Sequence, residues 1–269
     1  AIYIPVSQAN RVFGTDGLGA VTTGLSMVTA TNYTVELVWA DKPVGNDGVL
    51  KSIVPATFSG EGYIKIEPGI AGNAVVGIKL TGETTFRWSW HIWVTDAPSS
   101  KTDAVTGLIW MDRNLGAAGT TYNANGRNGL FYQWGRKDAF PASDGTRNNQ
   151  TYYTSGNATG TTENLTTDTY TDLPHMVQNP LTVSNTINYL GSLSAADDSN
   201  KSWGNGGAKT IYDPCPKGWR VPSVIVDNKT VWGNSTTESN SEWAMDDFAT
   251  ITGMTFHGLN GTAALTPFH

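Results

Sequence analysis

Histidine and cysteine are the most reactive side chains in this sequence, and their spacing matches no common active site. The histidines are far apart, with no His-x-His or His-Glu-x-x-His pair to place two zinc ligands side by side. The Gly-x-Ser-x-Gly pattern that exposes the nucleophile of serine hydrolases is also missing. The sequence therefore predicts no catalytic residue and no metal ligand among the four histidines: His91, His175, His257 and His269.

Cys215 is the one cysteine of the chain, and it lies between Pro214 and Pro216. A single thiol can neither close an internal disulfide nor build a multi-thiolate metal site. A nucleophilic thiol needs a nearby base or a positive helix end, whereas two flanking prolines favour a pinned position. We therefore expect a structural role for Cys215.

Two segments have part of a ligand-binding motif. Residues 204–210 contain the glycines and the lysine of a phosphate loop, but Ala208 stands where a glycine must precede the lysine. Asp197 and Asp198 offer oxygen ligands for calcium, but the spacing and the terminal Glu of an EF-hand are missing. Both segments are interpreted as solvated turns, so no cofactor is predicted and a structural Ca²⁺ has no support.

Charged residues are sparse, and this excludes some classes of partner. Only 15% of the residues are charged, the net charge is −6, and the 17 Lys and Arg residues are scattered singly apart from the adjacent Arg136 and Lys137. Nucleic acids and anionic membrane surfaces are bound through clustered cations, so neither is expected. No apolar stretch is long enough to predict a membrane-spanning segment. Abundant Thr, Asn and Gly, with ten Trp and ten Tyr, favour an extracellular, mainly β protein.

The elements that must position any functional side chain are short strands in the first hundred residues. In residues 86–94 apolar and polar side chains alternate, so that Phe86 and Trp88 begin a face that packs on a core. His91 falls in the exposed register of that strand. Strands at this spacing predict a β-sandwich over residues 1–97. The other strands are predicted from β-branched and aromatic runs between turn residues, at residues 2–4, 33–39, 63–66 and 74–80.

The rest of the chain is expected to contain long loops and few helices. Residues 98–106 are small and polar and predict a linker to a second domain over residues 107–269. That domain is expected to begin with a short strand at residues 108–111. Residues 143–171 are rich in Thr, Asn and Gly and predict a long polar loop. A capping box predicts one helix, at residues 242–252.

The tryptophans of the second region divide into a structural group and a candidate binding group. Those in apolar, strand-like surroundings are expected to be structural: Trp110, Trp134 and Trp219. Those among Asn, Ser and Gly are candidates for an exposed surface, because exposed rings can stack on sugars and their polar edges can form hydrogen bonds. With one neighbouring asparagine, these candidate ligand-binding residues are Trp203, Trp232, Asn234 and Trp243.

Three motifs occur in order along the second region: WMDRNLG at residues 110–116, GLFYQWGRKD at residues 129–138 and YDPCPKGWRVP at residues 212–222. Together they resemble the FISUMP ("major paralogous") domain of surface proteins from the Bacteroidetes and Fibrobacter groups. Residues 72–76 and 88–96 are similar to the β-domain that often precedes it in fimbrillin-associated proteins. The resemblance covers both halves of the chain.

The resemblance implies a C-type-lectin-like α/β fold for residues 107–269 and an exported protein at the cell surface, outer membrane or fimbria. It implies adhesion or assembly without catalysis. Its partners would be fimbrial or pilus subunits, copies of itself, or a glycan or surface-protein ligand of a host or bacterium. Domains of this kind usually continue into further strands and a second cysteine. On this reading the domain is C-terminally incomplete, and Cys215 has its partner beyond residue 269.

Two alternatives remain open at this point. The first is a structural, pilus-like filament subunit that polymerises with itself by strand complementation. The second is an enzyme of glycan or sulfatase-maturation type, which is disfavoured because the formylglycine-generating relatives use a cysteine pair and this chain has only Cys215.

Overall fold

The computed structural model describes residues 1–13, 27–102, 109–120, 129–133, 135–141, 151–162, 165–169, 173–184, 203 and 209–221, together with the backbone of five short strands after residue 224. Strands far outnumber helices in this part of the chain, so the fold is mainly β, as predicted. Among the described residues no helix is both long and apolar enough to cross a membrane.

The described strands are β1 (Ile2–Pro5), β2 (Tyr33–Ala40), β3 (Leu50–Phe58), β4 (Glu61–Pro68), β5 (Gly72–Leu80), β6 (Trp88–Val94), β7 (Ser100–Thr102), β8 (Ile109–Met111), β9 (Tyr152–Thr154), β10 (Asn157–Thr161), β11 (Thr167–Asp168), β12 (Val183–Ser184), β13 (Ile225–Val226), β14 (Lys229–Thr230), β15 (Trp243–Met245), β16 (Met254–Phe256) and β17 (Ala264–Leu265). The described helices are α1 (Ser7–Phe13) and α2 (Leu173–Gln178). The strands predicted in the first hundred residues and at residues 108–111 are confirmed as β1, β2, β4, β5, β6 and β8.

A three-stranded antiparallel sheet has the order β1-β4-β3. Its central hairpin turns through Ser59 and Gly60, which have φ angles of 49° and 81°. Positive φ at both positions matches the right-handed twist of the two strands that the turn joins. The turn therefore sets the register that pairs Phe58 with Glu61 and Val54 with Lys65.

A five-stranded antiparallel sheet has the order β10-β9-β2-β5-β6. Its β9–β10 hairpin lies within residues 143–171, so the prediction of one long loop there is wrong. The hairpin joins the sheet where Ala40 pairs with Tyr153, and the Leu37 backbone N–H donates to the Ser155 hydroxyl at 2.7 Å. Thr and Tyr fit a pleated sheet well once a neighbouring strand is available.

The main core lies between the two sheets. Alternate residues of β5, among them Val76 and Ile78, point toward Ile64 and Ile66 of β4, and all four are fully buried. Tyr33 closes the core at one end, where its hydroxyl donates to the Tyr63 carbonyl at 2.7 Å. In β6, Trp88 and the alternate residues that follow it face this core as predicted, whereas Phe86 precedes the strand and packs against the core on the opposite face of the sheet.

A second core covers the opposite face of the five-stranded sheet. Trp39 and Val75 are fully buried there against Ala139 and Tyr152, which come from the second half of the chain. The Trp39 indole N–H donates to the Ala139 carbonyl at 2.8 Å. Because both of its faces are covered, β5 is buried along nearly its whole length.

Residues 98–106, which were predicted to be a linker, contain a strand that pairs with the next strand of the chain. Strand β7 lies within residues 98–106 and pairs antiparallel with β8. Next to this hairpin, Arg113 forms ion pairs with Asp96 at 2.6 Å and with Asp112 at 2.9 Å. Hydrogen bonds from the Arg113 guanidinium and then from the Thr95 hydroxyl hold the pKa of Asp96 low, at about 2. The division into domains at residues 98–106 stays a prediction, but side chains on its two sides are in direct contact.

The helix predicted at residues 242–252 is wrong at its start. Residues 243–245 form β15, in which Trp243 pairs with Phe256 of β16. Backbone pairing with β16 therefore stands where the local capping signal predicted the start of a helix. Strand β3 was not predicted, because Pro55 interrupts its pattern and marks an edge strand.

Candidate functional site

The three sequence motifs meet along β5 and β6, at one edge of the five-stranded sheet. From the first motif, the Gly116 carbonyl accepts a hydrogen bond from the Asn73 amide at 2.9 Å. From the second, the Lys137 ammonium donates to the Ser89 carbonyl at 3.0 Å. From the third, the ring of Tyr212 lies 6.1 Å from that of Trp88, centroid to centroid, at an angle of 60°. We call this region the β6 edge.

Glycines allow the first two motifs to approach each other closely. Gly116 and Gly129 have φ angles of 86° and 75°, in the left-handed region that favours glycine. A Cβ on Gly116 would lie 2.6 Å from the Leu130 side chain, and one on Gly129 would lie 2.6 Å from the Leu115 carbonyl oxygen. The motif glycines are therefore needed for packing at the β6 edge.

A buried cluster of Lys137, Asp138 and Ser89 is the most strongly polar part of the β6 edge. The Lys137 ammonium donates to the Ser89 hydroxyl and the Asp138 carboxylate, each at 2.5 Å, and the Ser89 hydroxyl donates to Asp138. The ammonium also lies 4.2 Å from the centroid of the Trp88 ring. Burial lowers the pKa of Lys137, and the adjacent Asp138 carboxylate opposes that shift.

This cluster resembles a serine–lysine nucleophile in composition, but its geometry gives it a structural role. Only 1% of Ser89 and 2% of Asp138 is exposed. The Ser89 hydroxyl is already held by an acceptor and a donor, so a substrate has no route to its oxygen. By donating to the Ser89 carbonyl, Lys137 also covers part of the free edge of β6, and such edges must be protected against pairing with other chains.

Arg136 is buried beside this cluster and binds backbone carbonyl groups. Its guanidinium donates to the carbonyls of Thr182 at 2.6 Å and Pro180 at 3.0 Å and lies over the Phe140 ring. The Trp203 indole N–H donates to the Arg136 carbonyl at 2.8 Å, and the Trp203 ring packs against the main core. Trp203 is therefore half-buried, with its polar edge already bonded.

His91 is half-buried in a second polar network, and its predicted exposed position is wrong. Its Nε2 lies 3.0 Å from the Asn73 amide oxygen, which can only accept, so this nitrogen carries the proton. Its Nδ1 accepts from the Tyr132 hydroxyl at 3.2 Å. Burial lowers the pKa of His91 to about 4, against an opposing effect of Asp138. The residues of the second motif have covered the face that the strand pattern assigned to solvent.

In the third motif, Asp213 organises the chain around Cys215. The buried Asp213 carboxylate accepts hydrogen bonds from the backbone N–H groups of Cys215 and Val221, both at 2.9 Å, and from the Lys209 ammonium at 2.7 Å. Burial and the Asp213 charge raise the pKa of Cys215 to about 12. A thiol with this pKa is protonated at neutral pH, unlike an activated nucleophile.

The other predicted site residues fall in different places. Trp110 and Trp219 are half-buried. Trp243 is at the start of β15, where the structure describes its backbone. Trp134, Trp232 and Asn234 lie outside the described residues, as do Asp197 and Asp198. The described part of the chain therefore brings no two of the four candidate binding residues together.

Sequence reasoning did not identify the residues that form the polar clusters. Lys137 and Asp138 follow each other in a short charged run that is typical of a solvated loop. Their partner Ser89 is 48 positions from Lys137, in the half of the chain that was assigned to another domain. The available signal was the position of this charged run between aromatic residues, directly after LFYQW.

No group of three or more His, Cys, Asp or Glu side chains that could hold a metal occurs within the described ranges. Comparison of the chain with protein-family models, curated proteins and solved structures finds no match.

Proposed function

We propose that this chain is an exported cell-surface or fimbrial protein that acts by non-catalytic binding, in adhesion or assembly. Residues 1–97 would form its β-sandwich, and residues 107–269 a C-type-lectin-like domain of the FISUMP type. The partners would be a glycan or a surface protein, or other fimbrial subunits. This proposal rests on the burial and hydrogen bonding of charged residues in the sequence motifs.

The observation that supports binding over catalysis is that Lys137 and Asp138 of the second motif and Asp213 of the third are buried and bonded to the scaffold. Lys137 and Asp138 hold β6, and Asp213 holds the turn around Cys215. Burial of charged groups costs free energy that only such bonds offset. These groups therefore stabilise one rigid arrangement and leave ligand contacts to the surface.

A rigid scaffold favours binding because its surface loses little conformational freedom when a ligand is bound. The sparse charge of the chain favours neutral or hydroxyl-rich ligands over strongly charged ones. Thr, Asn and Ser side chains can both donate and accept hydrogen bonds with such ligands. Both features fit an adhesin better than an enzyme of sulfatase-maturation type.

The alternative of a self-polymerising filament subunit has one supporting observation and one against it. Strand β3 is a nine-residue edge strand in the described sheet and so offers a long edge for another strand. Pro55 lies within it, and the register shifts between Leu50 and Ser52. Proline and bulges are devices that protect edges from pairing. We therefore place adhesion first.

The test is binding of the purified chain to an array of glycans and to immobilised fimbrial and surface-protein fractions, with electron microscopy of the same preparation. Adhesion predicts saturable binding by single particles. Long ordered filaments of the purified chain, without binding to the arrays, would support the filament subunit and contradict adhesion.

A further inference from the structure

An exposed aromatic cluster lies on the outer face of the three-stranded sheet. The register places Tyr3, Lys65 and Val54 in one row across the sheet, and Pro5, Tyr63 and Ala56 in the next. Phe58 follows at the end of β3. Exposed fractions are 42% for Tyr3, 43% for Val54 and 50% for Phe58. We call the three rings Tyr3, Phe58 and Tyr63 the outer aromatic cluster.

The three rings are fixed by one another. The Tyr3 and Phe58 centroids are 4.9 Å apart, although β1 and β3 are separated by β4 and lie about 9.6 Å apart at the usual strand spacing. Both side chains therefore lean over β4, where Tyr63 lies 6.5 Å from Tyr3 and 5.7 Å from Phe58. All three contacts are edge-to-face, so the ring positions are set before any ligand arrives.

Polar groups of both signs surround the cluster. The outward residues of β4 are, in order, Glu61, Tyr63, Lys65 and Glu67. The Lys65 ammonium lies 3.9 Å from the Glu67 carboxylate, which also accepts from the Ser52 hydroxyl at 3.3 Å. Donors and acceptors of both signs thus flank the rings without a field of one sign.

From this combination we propose that the outer aromatic cluster is a binding site for a neutral polysaccharide with flat, equatorially substituted β-linked sugar rings. Exposed ring surface packs on the apolar C–H face of such a sugar, and the flanking Lys, Glu, Ser and Tyr groups bind its hydroxyls. Two carboxylates against one ammonium disfavour an acidic polysaccharide, and the spread of the three rings over three neighbouring strands fits an extended chain. This inference rests on the proposed binding function and gives it a site outside the predicted lectin-like domain.

The test is native gel electrophoresis of the full chain in gels that contain hydroxyethylcellulose, galactomannan or xylan. We expect retarded migration with at least one of them. Removing one ring should weaken the apparent affinity about three- to tenfold, the usual contribution of a good aromatic contact. The variants are Tyr3→Thr and Phe58→Thr, in which threonine keeps a β-branched side chain in the strand.

Two controls separate ligand binding from folding. Tyr3→Phe keeps the ring and should retain most of the retardation. Ile109→Thr removes a side chain that is 63% exposed in β8, outside the cluster, and should leave migration unchanged. Because cross-strand aromatic contacts also stabilise the sheet, urea unfolding of each variant must show that it is folded under the gel conditions.

Four outcomes would overturn the inference. Retardation that is equal in wild type and ring variants would place binding elsewhere and leave the proposed function standing. If the chain binds the glycan array but none of the three polysaccharides retards it, this site and ligand class are rejected and the proposed function stands. If the chain neither binds the array nor is retarded by a polysaccharide, the proposed function is rejected too. Ring-dependent dimerisation in sedimentation velocity, without retardation, would identify the cluster as a contact between copies of the chain.

Discussion

The half-buried His91 predicts a specific loss of stability in acid. Its pKa is about 4 in the folded chain and about 6.5 in the unfolded chain. Between these pH values the unfolded chain binds a proton that the folded chain does not, so the free energy of unfolding falls as the pH falls. The loss begins near pH 6.5 and is complete below pH 4.

The size of the loss follows from the two pKa values. Between pH 7.5 and pH 5, a shift from 6.5 to about 4 removes about 2 kcal/mol of stability. The cause is burial, which disfavours the charged imidazolium and outweighs the opposing effect of the Asp138 carboxylate.

The assay is urea unfolding followed by tryptophan fluorescence at pH 7.5 and pH 5, for wild type, His91→Gln and Tyr132→Phe. Carboxylates titrate in all three proteins, so their contribution largely cancels in the difference. Wild type should lose about 2 kcal/mol more than His91→Gln over this range. Tyr132→Phe keeps the ring that packs beside His91 and should retain most of the loss. Equal pH dependence in wild type and His91→Gln would refute the reasoning.

Three further predictions concern packing and the third motif. Gly77→Ala places a Cβ 2.4 Å from the Phe86 ring and should cost about 1–3 kcal/mol in urea unfolding, whereas Gly119→Ala, with nothing within 4 Å, should change little. Asp213→Asn removes the charge and one of the two acceptor oxygens of a buried carboxylate that accepts three hydrogen bonds, and should cost about 2–4 kcal/mol, against a negligible change for exposed Asp47→Asn. Cys215 should react slowly with a thiol reagent at pH 7 in the folded chain and quickly in urea, because its pKa is about 12; fast reaction of the folded chain would contradict this.

The strands of the first half could be predicted because their signal is local. Alternation in β6 reflects side chains from Trp88 onward that face one core, and it needs no knowledge of distant residues. Strand β3 was missed because Pro55 breaks the pattern, although an edge position tolerates it. The β9–β10 hairpin was missed because its partner β2 is more than a hundred residues earlier in the chain.

The polar clusters could not be predicted, because their physical basis is not local. A buried Lys137 is stable only with Asp138 and Ser89 around it, and the sequence gives no distance between Ser89 and residues 137–138. His91 was assigned to solvent because a single strand cannot indicate which segment covers its second face. The outer aromatic cluster was missed for the same reason, since Tyr3, Phe58 and Tyr63 come from three strands.

The central claim is that this chain binds its ligand and does not transform it. The most direct measurement is the mass spectrum of a glycan that has been captured by the purified chain from a defined mixture, held at neutral pH and released. We predict saturable capture and recovery of the glycan with its mass unchanged. Recovery of a shortened or modified glycan, in an amount that grows with time, would contradict the claim.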